Sequence, residues 1–172
     1  MHQARSFGTV TETEKPWYPR EHWPDVMRSR FAEFRGPVRQ FLDEICDESE
    51  VIYTVVEEVA APLPWHRGRT LIIGDAAHAS TPFMGQGGAM AVEDAVTLGR
   101  LLDSDGDLGT VLNRFGQERM PVCRFVQDSS RRVGEAGSSE DAASSARRNQ
   151  AMPKTAQRQV DEFYSTLATM QA

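Results

Sequence analysis

A short apolar strand, a glycine-rich turn and a long amphipathic helix follow one another in this chain and constrain its fold. Residues 70–73 read TLII and end at Gly74. Such continuously apolar runs are typical of strands buried on both faces of a parallel sheet. The glycine cluster Gly85–Gly88 then opens a helical pattern that extends to about Leu102. This order predicts an α/β unit that binds its ligand beyond the carboxyl end of the strand.

The residues around these glycines indicate the chemistry of that ligand. Asp75 directly follows the strand, and its carboxylate is suited to accept hydrogen bonds from hydroxyl groups and would repel a phosphate. Glycines let a ligand approach the backbone, and the first N–H groups of a helix lie at the positive end of its dipole. A reduced flavin fits this set, since its ribityl chain carries hydroxyls and its N1–C2=O edge becomes negative.

The same segment resembles the second FAD fingerprint of the class A flavin-dependent aromatic monooxygenases, typified by p-hydroxybenzoate and salicylate hydroxylases. The matching residues are Arg69, Leu71, Ile73, Gly74, Asp75, Ala76, Ala77, His78, Pro82, Gly85, Gln86, Gly87, Gly88, Glu93, Asp94, Ala95 and Leu98. The resemblance implies that Asp75 binds the ribityl chain and that the loop 82–87 lies beside the isoalloxazine ring. The predicted cofactor-binding residues are Gly74, Asp75, Ala76, Pro82, Gly85, Gln86, Gly87 and Gly88, and no catalytic residue is assigned.

Members of this family reduce FAD with NAD(P)H, form a flavin C4a-hydroperoxide with O2 and hydroxylate a small aromatic or heteroaromatic substrate. The family also begins with a strand and a glycine-rich G-x-G-x-x-G fingerprint for the ADP half of FAD, which this sequence lacks. The chain therefore resembles the C-terminal part of such an enzyme, in need of an N-terminal half or a homo-oligomer to complete the fold. A truncated non-catalytic remnant, an interaction module and one half of a split enzyme remain alternatives.

The resemblance implies an α/β fold class, namely the C-terminal part of a Rossmann-like FAD-binding domain with short strands, long helices, a remnant of the substrate-domain sheet and a helix-rich C-terminus. The expected organisation is a substrate-domain remnant at 1–64 (helices within 25–47, a strand at 51–59), half of the FAD-binding domain at 65–133, a linker or weak helix at 134–151 and a helical tail at 152–172.

Composition excludes other classes of protein. The net charge is −6 and there is no long basic run, so no nucleic-acid partner is expected. No stretch of 18 apolar residues predicts a membrane span, and the opening residues do not form a signal peptide, so we expect a cytoplasmic protein. Cys46 and Cys123 lack metal-ligand spacing and are expected to be two buried free thiols; no metal site is predicted.

Several other residues invite a functional interpretation, but a structural one is favoured. His78 has no assignable nucleophile or carboxylate partner in the sequence, so we expect it to hydrogen-bond within its loop. Glu93 and Asp94 are adjacent on a helix and point in different directions, which favours a structural Asp94 and a partly solvated Glu93. For the tryptophans, a substrate-pocket role and a core or lid role remain equally open; they are Trp17, Trp23 and Trp65.

Overall fold

The computed structural model describes residues 7–10, 14–46, 48–138 and 142–171. The chain divides into two compact units, Met1–Val55 and Val56–Ala172. This boundary lies about ten residues before the one expected from the sequence, because the segment after Val55 already bonds to the second unit: the backbone N–H groups of Val59 and Ala61 donate to carbonyl oxygens of residues 79 and 77.

Two short helices build the first unit. A 3-10 turn at Arg20–His22 leads into α1 (Trp23–Arg30), and α2 spans Pro37–Glu44. The predicted pair of helices is therefore present, but α1 begins two residues before 25 and both helices end earlier than expected. Gly36 separates them because it adopts a positive φ of 66°, a conformation open to glycine, and the following proline occupies the first helical position, where its missing N–H costs nothing.

The expected burial of Cys46 is wrong, since its side chain is exposed. It follows the end of α2 in a turn, where its backbone N–H bonds to Ser49 Oγ at 3.0 Å. The buried positions of this segment belong to Leu42 and Ile45. The sequence pattern predicted a helix through Cys46, but α2 ends at Glu44. Beyond that point the helical spacing no longer decides which side chains face inward.

The expected strand at 51–59 does not form, and no described residue pairs with this segment in a β ladder. Its β-branched residues favour an extended backbone, but a strand also requires a partner for its N–H and C=O groups. Among the described residues, Val59 N–H donates to the Ala79 carbonyl and the Val59 carbonyl accepts from Gln127, but no ladder forms along 51–59. The expected remnant of a substrate-domain sheet is therefore not found in the described part of the chain.

The strand expected at 70–73 is present only at its first two residues, and the described residues do not give it the expected parallel neighbour. The structure has a two-stranded antiparallel hairpin, β1 (His66–Arg67) and β2 (Thr70–Leu71), in which His66 faces Leu71 across the ladder. The ladder ends with a hydrogen bond from Ile72 N to the Trp65 carbonyl at 3.0 Å. The side chains of Ile72 and Ile73 remain 37% and 39% exposed. Apolar character alone could not place them in a sheet, because no described segment runs alongside them as a parallel strand.

Long helices make up most of the second unit and confirm the expected helix-rich C-terminus. The long helices are α4 (Gly87–Leu102), α5 (Leu108–Gly137) and α6 (Ala142–Gln171), and they are preceded by the short α3 (Asp75–His78) and a 3-10 turn (Pro82–Met84). The expected linker 134–151 is helical in its described parts, since α5 extends to residue 137 and α6 covers 142–151. No described helix is long and apolar enough to cross a membrane.

A core between α4, α5 and α6 holds the second unit together. Its buried members include Trp65, Met90, Leu101, Phe115, Val126 and Phe163. Asp107 caps α5, since its Oδ1 accepts a hydrogen bond from Thr110 N at 3.1 Å. The tail expected from the sequence to dock as a last helix does so through Phe163 and Leu167, both buried.

One face of α4 is apolar and uncovered. Val92, Val96 and Leu102 are 65%, 69% and 54% exposed, and the small residues between them on this face are exposed as well; these are Gly88, Ala89, Ala95 and Gly99. Met90, Asp94 and Leu101 lie on the opposite, buried face. A helix that is largely apolar on both sides is normally packed on both sides.

Candidate functional site

The predicted cofactor segment begins at a turn that requires glycine. Gly74 has φ 56° and ψ −139° and precedes α3. A Cβ built on it would lie 3.3 Å from Ala91 Cβ on α4, and its N–H donates to Asp94 Oδ2 at 2.8 Å. The turn therefore lies directly against the first half of α4, with Asp75 exposed immediately after it.

The loop between α3 and α4 leaves the start of α4 accessible. Gly85 ends the 3-10 turn in the left-handed conformation, with φ 63°. Gly88 has open space where a side chain would stand. The first turn of α4 contains no acidic residue, so its unpaired N–H groups and the positive end of its dipole are not neutralised by a carboxylate of that turn.

The structure thus brings most predicted cofactor residues to one region. Gly74 lies beside α4, Ser80 Oγ would be 3.8 Å from a Cβ on Gly87, and Gln86 is the N-cap residue of α4. Asp75, Ala76, Pro82, Gly85 and Gly88 are exposed, whereas Gln86 and Gly87 are half-buried. Their roles in binding remain predictions.

A fully buried carboxylate holds this region in place. Asp94 is 0% exposed and accepts three hydrogen bonds, from Gly74 N at 2.8 Å, from His78 Nε2 at 2.7 Å and from Arg119 Nε at 2.7 Å. These donors come from the Gly74 turn, from α3 and from α5. The interpretation of Asp94 as a residue that ties down a neighbouring loop is confirmed.

His78 has a carboxylate partner that the sequence alone did not reveal. Its imidazole is buried against the ring of Trp65, at 5.5 Å between centroids, and bonds to Asp94 on α4 and not within its own loop. The structural interpretation of His78 therefore holds with a different partner. Trp65 is likewise a core residue, since it also packs edge-on against Phe115.

Arg119 is the residue of this network that sequence reasoning missed. Its guanidinium is 4% exposed and donates to Asp94, to Glu93 Oε2 at 3.1 Å and to the Met90 carbonyl at 3.2 Å. A signal was present in the sequence, because Arg119 interrupts the apolar stripe of α5 between Phe115 and the buried residues after it. A charge in such a position must be paired.

His78, Asp94 and Cys123 lie close enough together to bind a metal ion, but the guanidinium of Arg119 already lies beside them. Ligand atoms of His78, Asp94 and Cys123 all lie within 4.8 Å of one another. The Arg119 guanidinium already bonds to Asp94 and approaches Cys123 Sγ at 4.0 Å. Because arginine stays protonated, its charge balances the carboxylate in the way a metal ion otherwise would.

The network raises the pKa of His78 to about 10. Burial by itself lowers this pKa, but hydrogen bonds to Asp94 and Cys123 and the negative charge of Asp94 outweigh it. The pKa of Asp94 is lowered: burial raises it, but the bonds from His78, Gly74 and Arg119 prevail. The folded protein thus holds a protonated imidazole that donates to a carboxylate.

These shifts predict a loss of stability at alkaline pH. A histidine whose pKa is raised on folding contributes stability that is complete below its ordinary pKa of 6.5 and is lost as the pH rises towards 10. We expect the free energy of unfolding, measured by urea denaturation, to fall across this window, and His78→Gln to flatten that fall. The exposed His22→Gln should keep the wild-type profile; an equally steep fall in His78→Gln would contradict the assignment.

Helix α5 supports the loop from its inner side. Gln127 Nε2 donates to the Ala79 carbonyl at 2.9 Å. The fully buried Ser130 donates to the Thr81 carbonyl at 2.7 Å and accepts from Met84 N at 3.3 Å. One turn further along α5, Phe83 packs so closely on Gly134 that a Cβ there would lie 2.4 Å from its ring.

Comparison with known proteins identifies the family of the chain. Residues 36–130 match the family described as FAD binding domain. The chain belongs to this family, and the relatives that it matches include FAD-dependent monooxygenases. It is 42% identical over 146 residues to YetM of Bacillus subtilis, to which an FAD-dependent monooxygenase activity is attributed, and 35% identical over 113 residues to the aurachin C monooxygenase/isomerase of Stigmatella aurantiaca.

A solved structure shows the same fold. Klebsiella pneumoniae HpxO, complexed with FAD and uric acid, superposes on 92% of this chain with a TM-score of 0.76 at 23% sequence identity. The matches cover 81% of this chain and 39% of YetM, 66% of this chain and 29% of the Stigmatella protein, and 41% of the HpxO chain. The chain thus spans roughly two fifths or less of the length of these relatives.

Proposed function

We propose that this chain supplies the ribityl and isoalloxazine half of the FAD site of a monooxygenase that hydroxylates an aromatic or heteroaromatic substrate with NAD(P)H and O2. The observation that carries the proposal is the pairing of an exposed Asp75 with an accessible, acid-free helix start at Gly87–Gly88. One group suits hydroxyls and the other suits a negative ring edge. When bound, the flavin supplies the redox and oxygen chemistry.

The residues of the chain would act on the cofactor by binding and electrostatics. Asp75 would accept hydrogen bonds from ribityl hydroxyl groups. The N–H groups at the start of α4 would stabilise negative charge on the reduced ring, which contributes on the order of 0.3–2 kcal/mol. Gly85 and Gly88 would let the ring approach the backbone, because neither position carries a side chain.

We also infer that this chain forms the C-terminal part of a Rossmann-like FAD-binding domain and requires the glycine-rich first half of that fold to complete it. The apolar face of α4 around Val92 and Val96, together with Ile72 and Ile73, supports this, because such exposed surface is normally covered. The relatives are longer than the matched region, and their additional residues are the candidates to cover this apolar surface.

The proposal is tested by flavin retention in two arms. The purified chain is incubated with FAD and desalted, first alone and then with a polypeptide carrying the glycine-rich half, and its visible absorption spectrum is recorded. We expect retained flavin absorbance in the second arm and a defined complex of one copy of each by size-exclusion chromatography with light scattering. Colourless protein in both arms would contradict the FAD site, and flavin held by a homodimer of this chain alone would replace the proposed partner with a second copy.

A further inference from the structure

The C-terminal helix reaches the glycine loop through one side chain. Gln86 Nε2 donates to the hydroxyl of Tyr164 on α6 at 3.2 Å and to the Met84 carbonyl at 3.4 Å. Gln86 is also the N-cap residue of α4. A residue 78 positions away in the sequence thus bonds to the point where the helix start is presented.

Tyr164 is held in position by the buried part of α6. Its neighbour Phe163 is buried and stacks on Phe125 of α5, with 5.4 Å between ring centroids and 14° between ring planes. The Tyr164 ring packs edge-on against Phe163 at 5.1 Å, and one turn later Leu167 is buried as well. Tyr164 itself is 50% exposed, so its hydroxyl remains at the surface beside the loop.

The loop is therefore supported from two helices. Ser130 of α5 bonds to the backbone of Thr81 and Met84, and Tyr164 of α6 bonds to Gln86. The Ser130 contacts fix the first part of the loop. The Tyr164 contact is directed at its last residue before α4 begins.

The two bonds of Gln86 determine where its amide lies. A side-chain NH2 group has two donors, and here Met84 and Tyr164 accept from it. The Gln86 side chain makes no capping bond to the N–H groups of α4. Without Tyr164, the Gln86 side chain would lose this anchor and be free to swing across the start of α4, where it would obstruct the approach of a negative ligand.

We propose that Tyr164 is a positioning residue for the glycine loop: its hydroxyl holds the Gln86 amide away from the start of α4 and keeps those N–H groups available to the flavin. The contacts of α6 support the first half of this proposal, namely that Tyr164 fixes the loop. The consequence for flavin binding rests on the proposed function.

The test compares Tyr164→Phe with Tyr53→Phe. The first variant keeps the ring packing and removes only the hydroxyl. The second removes a hydroxyl that donates to the Pro16 carbonyl at 3.1 Å in the other compact unit. Amide hydrogen exchange is measured without flavin at Gly85 and Met90, whose N–H groups bond to residues 82 and 86. FAD affinity is then measured by fluorescence titration of whichever form retains flavin, the chain alone or the chain with the glycine-rich polypeptide.

We expect Tyr164→Phe to accelerate exchange at these two amides by about two- to tenfold, the effect of one lost hydrogen bond, and to weaken FAD binding by a similar factor. Tyr53→Phe should change neither. In a Gln86→Met background, Tyr164→Phe should add no further effect, because the shared bond is already lost. Exchange that is unchanged in Tyr164→Phe would overturn the proposal, as would faster exchange with unchanged FAD affinity. If no form binds FAD, the proposed function and the flavin role of Tyr164 both fail, and the exchange data decide only whether Tyr164 fixes the loop.

Discussion

Replacing Arg119 with alanine is expected to lower the free energy of unfolding by about 3–5 kcal/mol. The variant would leave the fully buried Asp94 without the guanidinium whose Nε bonds to it, and the Met90 carbonyl would lose a donor. Removing one partner of a buried ion pair is this costly because the remaining charge can no longer reach water. Urea denaturation followed by circular dichroism measures the effect.

Arg114→Ala is the matched control on the same helix. Arg114 also pairs with a carboxylate, Glu118 at 2.7 Å, but its side chain is 57% exposed. Exposed pairs contribute about 0–1 kcal/mol, so this variant should stay close to wild type. Arg119→Lys should recover only part of the loss, because an ammonium cannot reproduce the planar fork of the guanidinium. Equal losses for Arg114→Ala and Arg119→Ala would refute the role given to the buried network.

Replacing Asp75 with alanine is expected to weaken FAD binding about 10- to 100-fold, the usual loss when hydrogen bonds to a charged group are removed. Asp75 is exposed and follows the rigid Gly74 turn, so the variant should fold as the wild type does. The measurement is an FAD titration of the FAD-binding form, monitored by flavin fluorescence. Circular dichroism confirms the fold of the variant.

Asp105→Ala is the control for this experiment, since Asp105 is an exposed carboxylate in the loop between α4 and α5. It should leave FAD affinity unchanged. Asp75→Asn should fall between wild type and alanine, because an amide retains one accepting oxygen without the charge. Unchanged affinity in Asp75→Ala would remove Asp75 from the site and leave the start of α4 as the remaining contact.

The elements that depend on local sequence were predictable. The helix from Gly87 to Leu102 follows from apolar spacing at three to four residues. The family followed from the joint pattern of Gly74, Asp75 and the glycine loop, and the family match agrees with it. These features lie within a few turns of chain, where spacing and backbone preference decide the outcome.

The errors fall where a second segment was needed. Residues 70–73 were expected in a parallel sheet and residues 51–59 in a strand, yet a ladder depends on a partner as well as on β propensity. The exposure of Cys46 came from the end of α2, since a helical pattern predicts burial only as far as the helix continues. In each case the residues had the expected local preference. What the sequence did not reveal was the pairing partner of the strand or the residue at which the helix ends.

The sequence by itself determined helix α4 and the family of the chain, because both depend on residue type and short spacing. Only the tertiary structure decided which groups meet. It paired His78 with Asp94 across 16 positions and Asp94 with Arg119 across 25, and it brought Tyr164 to Gln86. Such contacts are set by how α4, α5 and α6 pack, and burial then forces every charge among them to find a partner.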